Sequence, residues 1–283
     1  MLDTLNSNSS TVTSPTQQNQ VQSKMVSIGP VKIGGPAFTV IAGPCSVESE
    51  NQFRQVANHV KNSGAAILRG GIWKMRTSAR AFQGLGSEAF TTIQKIKNET
   101  GLGLVSEVTD IRQIEEAFPF VDAFQVGARN MHNYALLKEL GRYDKPVLLK
   151  RNFSAFIDEW IKAADYVVMG GHDQVILCER GIRTFETATR NTLDLNAVVY
   201  AKKHSSYPVI VDPSHAVGIS EFVPQLCYAS AAAGADGVIV EVHPNPQEAL
   251  SDGQQSLNFE SFDLMMNQLR KVLAAFDRPL NQG

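Results

Sequence analysis

From residue 38 onward the chain repeats one pattern: a short apolar run, a polar turn, a longer amphipathic stretch, then another apolar run. The apolar runs are FTVIAG (38–43), AAILRG (65–70), GLVSEV (103–108), AFQVGA (123–128), PVLLKR (146–151), QVILCE (174–179), PVIVDP (208–213) and GVIVEV (237–242). Runs apolar at nearly every position are expected of parallel strands covered on both faces. Between and after them, residues 49–63, 87–100, 110–118, 133–141, 155–169, 185–204, 221–233 and 259–275 carry helical periodicity. Before them, MVSIGPVKIGG (25–35) alternates apolar and polar residues about Gly29-Pro30, the signal of a short hairpin. The first 24 residues are rich in Ser, Thr, Asn and Gln, and are expected to form a disordered tail.

Eight strands alternating with eight helices admit a closed barrel or an open doubly wound sheet. No Gly-x-Gly-x-x-Gly follows the first strand, as a dinucleotide-binding open sheet requires, because the glycines of GGPAFTVIAGP flank the strand. The pattern therefore predicts a single (β/α)₈ TIM barrel over residues 25–283, preceded by the hairpin. The 283 residues fit, since such barrels run to about 250 residues as one domain.

Composition narrows the function. A formal net charge of −2 gives no electrostatic case for nucleic acid or an anionic membrane. No apolar run is long enough to span a bilayer. The tail lacks the apolar core of a secretory signal and the arginines of a transit peptide. Three cysteines cannot form a disulfide framework and suit a reducing, cytoplasmic compartment.

The strand ends carry the chemistry. At or just past the eight strands stand Cys45, Arg69, Glu107, Arg129, Lys150, Arg180, His215 and Glu241. Charged residues often mark where a strand meets solvent, but in a barrel all eight ends converge on the mouth that holds the active site. Arg69, Lys74, Arg76, Arg129, Lys150 and Arg180 form a cationic group that repels itself unless anions bind, which implies phosphates plus a carboxylate. Cys45, His215, Glu241 and Asp252 offer a thiolate, an imidazole and two carboxylates, a donor set for Mn, Fe, Co or Zn rather than Mg or Ca. Their spacing alone is a weak signal; a lone cysteine is more often a packing residue, and a histidine after Asp-Pro-Ser a hydrogen-bonded loop residue. Barrel closure brings strands one, seven and eight together, which favours the metal reading. His59 and His204 are expected to be solvated, and Cys178 and Cys227 to be packing residues.

The motifs IAGPCSVES (41–49), ILRGG followed by KMRTSARAFQGLG (67–86), GARNM (127–131), LLKR (148–151), ILCERGIRTFETATRNTLD (176–194), VIVDPSHAVG (209–218) and EVHPNPQEALSDGQQSL (241–257) closely resemble 3-deoxy-D-arabino-heptulosonate 7-phosphate (DAHP) synthase. The similar branch is the bacterial one that shares its barrel with 3-deoxy-octulosonate 8-phosphate synthase. The resemblance covers about residues 25–275. It implies condensation of phosphoenolpyruvate with erythrose 4-phosphate, releasing phosphate, as the first step of the shikimate pathway. It implies Cys45, His215, Glu241 and Asp252 as metal ligands, and Arg129 and Arg180, with Gly127-Ala128 backbone, at the phosphoenolpyruvate phosphate. Arg69, Lys74 and Lys150 would face its carboxylate; Arg76 and Thr77 would grip the aldose phosphate. Lys74, Lys150 and His215 are the candidates for catalysis, and a homodimer or homotetramer is implied.

The chain departs from that pattern at the aldose end. The usual Lys-Pro-Arg-Thr-Ser reads Lys74-Met75-Arg76-Thr77-Ser78, a Pro-Tyr segment is replaced by Ala79-Arg80-Ala81, and Asn152-Phe153 stands where a glycine is common. Three readings stay open: the heptulosonate synthase, a related synthase using another aldose phosphate, and a catalytically silent partner of chorismate mutase. Residues 1–24 are too short and polar for a ferredoxin-like or chorismate-mutase domain, so insensitivity to phenylalanine and tyrosine is expected.

Overall fold

Buried parallel strands need helices on their outer face, and the chain supplies them in order. The computed structural model describes residues 23–76 and 78–283. Strands β1 (Val26–Ile28) and β2 (Val31–Ile33) pair antiparallel about Gly29-Pro30, with Val26 opposite Ile33. Strands β3 (Thr39–Gly43), β4 (Ile67–Arg69), β5 (Gly103–Glu107), β6 (Ala123–Val126), β7 (Val147–Lys150), β8 (Val175–Glu179), β9 (Val209–Val211) and β10 (Gly237–Glu241) pair in chain order. All these pairs are parallel, and β10 closes the barrel on β3.

Helices α1 (Glu50–Ser63), α2 (Ala89–Thr100), α3 (Arg112–Ala117), α4 (Tyr134–Leu140) and α5 (Ile157–Met169) lie where the periodicity places them. So do α8 (Val223–Ala232) and α9 (Phe259–Ala274). Helix α6 (Leu195–His204) is a correction, because the expected helix began at residue 185. Asp194 caps α6 by accepting from the Ala197 N–H, which sets its start. Ahead of it, Ile182 and Thr192 form an antiparallel bridge, and their neighbour Thr184 shares a 2.7 Å hydroxyl contact with Thr192. That bridge holds the segment between them as an irregular loop. The short α7 (Pro213–Val217), with Pro213 in its first turn and Asp212 as its cap, was not anticipated.

Side chains alternate along each strand, so each strand serves two cores. Ile41, Ile67, Val105, Ala123, Leu148, Ile176, Ile210 and Ile239 belong to one buried cluster inside the barrel. Val26, Ile28, Val31 and Ile33 of the hairpin join that cluster and cover its lower end. The intervening residues, such as Val40, Leu68, Leu104, Phe124, Leu149, Leu177 and Val240, pack in a second cluster with helix residues such as Phe53, Ile93, Trp160 and Phe262. The interior is thus a packed core, and ligands have room only at its upper rim.

Residues 1–22 of the expected tail, and Thr77, lie outside the described residues. Lys24 is tied down: its N–H donates to Ser206 O (2.7 Å) and its ammonium pairs with Asp173 (2.9 Å). Among the described residues no helix is long and apolar enough to cross a membrane. Cys178 and Cys227 are free and buried, in keeping with packing roles. His59 is not simply solvated, since it stacks on Phe259 and lies 3.0 Å from Asp263; His204 is exposed and stacks on Tyr200.

Candidate active site

Period-two alternation carries polar groups to the rim. Two positions beyond the interior apolar residues stand Arg69, Glu107, Gln125, Lys150, Asp212 and Glu241, all buried. Glu107, Gln125 and Lys150 line a cavity of about 360 Å³ at the C-terminal ends of the strands; Asp212 and Glu241 lie behind it against Lys150 and His215, with Arg69 against Glu241. The wall of the cavity comes from the loops: Lys74 and Arg76 after β4, Gly127, Ala128 and Arg129 after β6, Arg180 after β8, His215 on α7, and Asp252 after β10. Gly127 has a steric reason to lack a side chain, because a Cβ there would stand 2.1 Å from Glu107 Oε1.

Cys45, Glu241 and Asp252 place one ligand atom each within 4.8 Å of one another. Cys45 Sγ donates to Asp252 Oδ2 at 3.1 Å. His215 Nε2 lies 3.4 Å from Glu241 Oε1 and 3.9 Å from Asp252 Oδ2, so the fourth expected ligand stands beside the other three. Two features fit a divalent ion. Glu241 Oε1 is buried and makes no hydrogen bond, standing 3.1 Å from Arg69 Nη2 and 3.4 Å from His215 Nε2, so its lone pairs stay open to a further cation. Asp252 sits in the left-handed region at φ 52°, a conformation uncommon outside glycine and often found at functional sites. Burial pushes the Cys45 thiol pKa up, and Glu241 and Asp252 add to this. Burial opposes the Asp252 carboxylate, but His215 and the Cys45 hydrogen bond hold its pKa below the ordinary range.

Asp212 ties this cluster to the cations. It is fully buried, with Oδ2 2.5 Å from Lys150 Nζ and 2.8 Å from His215 Nδ1. Oδ1 accepts the His215 backbone N–H at 3.0 Å. Burial alone would raise this carboxyl's pKa; His215 and Lys150 instead hold it well below the usual range. Burial lowers the pKa of His215, against the pull of Asp212 and Glu241. At 2.8 Å the acceptor-only Asp212 carboxylate favours the Nδ1–H tautomer of a neutral imidazole, although the contact lacks hydrogen-bond alignment; that tautomer leaves the Nε2 lone pair toward the other ligands.

The cations line up opposite. Arg69 is buried, 3.1 Å from Glu241 through Nη2, while its Nε and Nη1 have no hydrogen-bond partner among the described residues. These two donors lie on different edges of the guanidinium, so each can give one hydrogen bond to an anion. Lys74 Nζ lies 3.5 Å from Glu107. Burial disfavours its ammonium, but Cys45 and Glu107 keep its pKa above the ordinary range. Arg180 Nη2 donates to His215 O at 3.0 Å, which fixes it beside α7. Arg76 has one buried, unpartnered guanidinium nitrogen.

All the sequence-derived site residues with described coordinates therefore converge. Sequence reasoning missed Asp212, Asn191, Arg183, Arg190 and Gln255. Asp212 was legible, being two positions beyond Ile210 on the face that turns into the barrel. Arg183, Arg190 and Asn191 reach the cavity from the irregular loop after β8, of which residues 185–194 were expected to be helical.

Comparison with known proteins agrees with this architecture. The family model described as the DAHP synthetase I family matches residues 13–275. Phospho-2-dehydro-3-deoxyheptonate aldolase of Thermotoga maritima is 44% identical over 257 residues, covering 91% of this chain and 76% of the relative. The crystal structure of that Thermotoga maritima enzyme, also titled DAHP synthase, superposes with a TM-score of 0.89 at 43% identity, over 92% of this chain and 76% of the other. A 2-dehydro-3-deoxyphosphooctonate aldolase of Geobacter sulfurreducens is 29% identical, over 87% of this chain and 97% of its own length. With a family match over nearly the whole chain and a barrel whose rim holds the expected residues, the chain belongs to the DAHP synthetase I family.

Proposed function

We propose that this chain condenses phosphoenolpyruvate with erythrose 4-phosphate to give 3-deoxy-D-arabino-heptulosonate 7-phosphate and inorganic phosphate, as the metal-dependent first step of the shikimate pathway. The observation that carries the reading is Arg69, buried with two unpartnered N–H groups, touching Glu241 of the ligand cluster. Buried, unpaired guanidinium donors in contact with a metal ligand describe a site suited to an anionic substrate beside a Lewis acid. The greater identity to the heptonate aldolase than to the octonate one favours the four-carbon aldose.

Arg69 and Lys150 would bind the phosphoenolpyruvate carboxylate with Lys74 close by, and Arg129 and Arg180 its phosphate against Gly127-Ala128. Arg76 and Thr77 would hold the aldose phosphate. These cations offset the repulsion between two polyanions and fix their approach, the proximity component of catalysis. Cys45, His215, Glu241 and Asp252 would hold a divalent metal (Mn, Fe, Co or Zn), which when bound supplies Lewis-acid polarisation of the aldose carbonyl. C3 of phosphoenolpyruvate then bonds to the carbonyl carbon, water adds at C2, and cleavage of the C2–O bond expels phosphate. Lys150, ion-paired with Asp212, and the charged Lys74 are the groups placed to hold or pass the protons this requires.

A cytoplasmic location fits the three free cysteines. Self-association as a dimer or tetramer fits the exposed Phe156, Met169 and Phe185, and light scattering tests it. The function is tested with purified protein, Mn²⁺ and phosphoenolpyruvate, offered erythrose 4-phosphate, ribose 5-phosphate and arabinose 5-phosphate in turn. We expect phosphate release with erythrose 4-phosphate, abolished by chelator. Release confined to a five-carbon aldose would shift the chain to the octulosonate type, and release with none would overturn the reading.

A further inference from the structure

Two residues outside the expected set bear on the ligand cluster. Gln255, in the loop after β10, is buried, and its Nε2 donates to Glu241 Oε2 at 2.6 Å. Its Oε1 accepts from Arg190 Nη1 at 2.9 Å. Arg190 lines the cavity from the loop after β8 and lies against Gly218, where a Cβ would come within 2.9 Å of Arg190 Cβ. Its backbone N–H also donates to Val217 O (3.0 Å), so its stem is fixed to the end of α7.

The chemistry of the chain Arg190–Gln255–Glu241 has one consistent polarity. A carboxamide can turn either its oxygen or its NH₂ toward a neighbour, and the two choices differ in sign at a carboxylate. Arginine offers donors only, so it selects the amide oxygen. The NH₂ is thereby forced toward Glu241. There it occupies Oε2 and leaves Oε1, which makes no hydrogen bond, facing His215 and Arg69. Glu241, an acceptor-only carboxylate, selects the same orientation, and Arg190 reinforces it by holding the oxygen end; without Gln255 the Glu241 carboxylate loses one of the groups, beside Arg69, that fix its rotation.

We propose that Arg190 and Gln255 are positioning residues for Glu241: Arg190 reinforces the orientation of the Gln255 amide, and Gln255 presents Glu241 to a bound divalent metal. This rests on the reading of Cys45, His215, Glu241 and Asp252 as a metal site. Partners that orient ligands in this way typically account for about 10- to 100-fold in metal affinity.

The sign of one effect separates this role from plain electrostatics. Arg190 is a cation near the site, and the Asp252 carboxylate senses it. By Coulomb's law alone, removing a cation strengthens the binding of a second cation. The relay requires the opposite: Arg190→Ala weakens metal binding, and does so only while Gln255 is present.

The test is a Co²⁺ titration of the full chain against a competing chelator, followed by the thiolate-to-cobalt absorption band. Wild type, Gln255→Met, Arg190→Ala and the double variant are compared. Gln255→Met keeps the side chain's length and packing but removes the amide. We expect Gln255→Met to weaken Co²⁺ binding about 10- to 100-fold. Arg190→Ala should weaken it in the wild-type background and fail to weaken it further in Gln255→Met. Unchanged binding in Gln255→Met, or tighter binding in Arg190→Ala, overturns the relay. Should Gln255→Met fail to fold, Arg190→Ala still decides, because Arg190 is exposed. A wild type that takes up no Co²⁺, or takes it up without the thiolate band, overturns the metal-site reading instead.

Discussion

Replacing Asp212 with asparagine removes one charge and almost no volume, and it strikes the point where cation and ligand meet. The carboxylate is fully buried, 2.5 Å from Lys150 Nζ and 2.8 Å from His215 Nδ1. Asparagine can still accept the His215 backbone N–H, but it offers Lys150 no countercharge. Breaking a buried pair by removing one partner costs about 3–5 kcal/mol, a large part of a typical domain stability of about 5–15 kcal/mol. Because the folded carboxyl titrates well below 3.8, its contribution is complete above that pH and is lost only as pH falls further. The loss should therefore be constant between pH 6 and 8, measured by urea denaturation with unchanged slope. The double variant Asp212→Asn/Lys150→Met should recover most of it, since no unpaired charge remains. Losses that add, or an Asp212→Asn loss below about 1 kcal/mol, would refute the argument.

Further consequences follow from the same geometry. Arg69→Lys leaves a point charge in place of two buried, unpartnered guanidinium donors, and should weaken phosphoenolpyruvate binding by about 10- to 150-fold in calorimetry. A metal must displace the proton of the Cys45 thiol, whose pKa burial raises, so the apparent Co²⁺ affinity should rise about tenfold per pH unit between pH 6 and 7.5; a flat profile would argue against a thiolate ligand. Gly127→Ala drives a methyl group into Glu107 and should raise the KM for phosphoenolpyruvate with a smaller effect on the melting temperature.

Much of this was legible in the sequence because burial on both faces leaves a plain mark. Runs such as GVIVEV (237–242) read as strands covered on both faces, and their count, with no dinucleotide-binding glycine motif after the first, favours closure. The ionisable residues at their ends then converge without further assumption. Legibility failed where tertiary contacts decide. Residues 185–194 contain neither glycine nor proline, so nothing local forbids a helix; the Ile182–Thr192 bridge and the Asp194 cap do. Gln255 and Arg190 are 65 positions apart, and only the folded chain reveals that one holds the other. Asp212 lay within reach of the alternation rule, hidden by an unexpected helix that turns His215 back over it.

The central claim, that the rim joins an enol phosphate to an aldehyde and expels phosphate by breaking a carbon–oxygen bond, has a direct test. Phosphoenolpyruvate labelled with ¹⁸O in its C–O–P bridge is incubated with the Mn²⁺-loaded protein and erythrose 4-phosphate, and the released phosphate is analysed by mass spectrometry. The account predicts that the bridging label leaves with the phosphate, in step with formation of the seven-carbon product. Unlabelled phosphate, or labelled phosphate released at the same rate without the aldose, would contradict it.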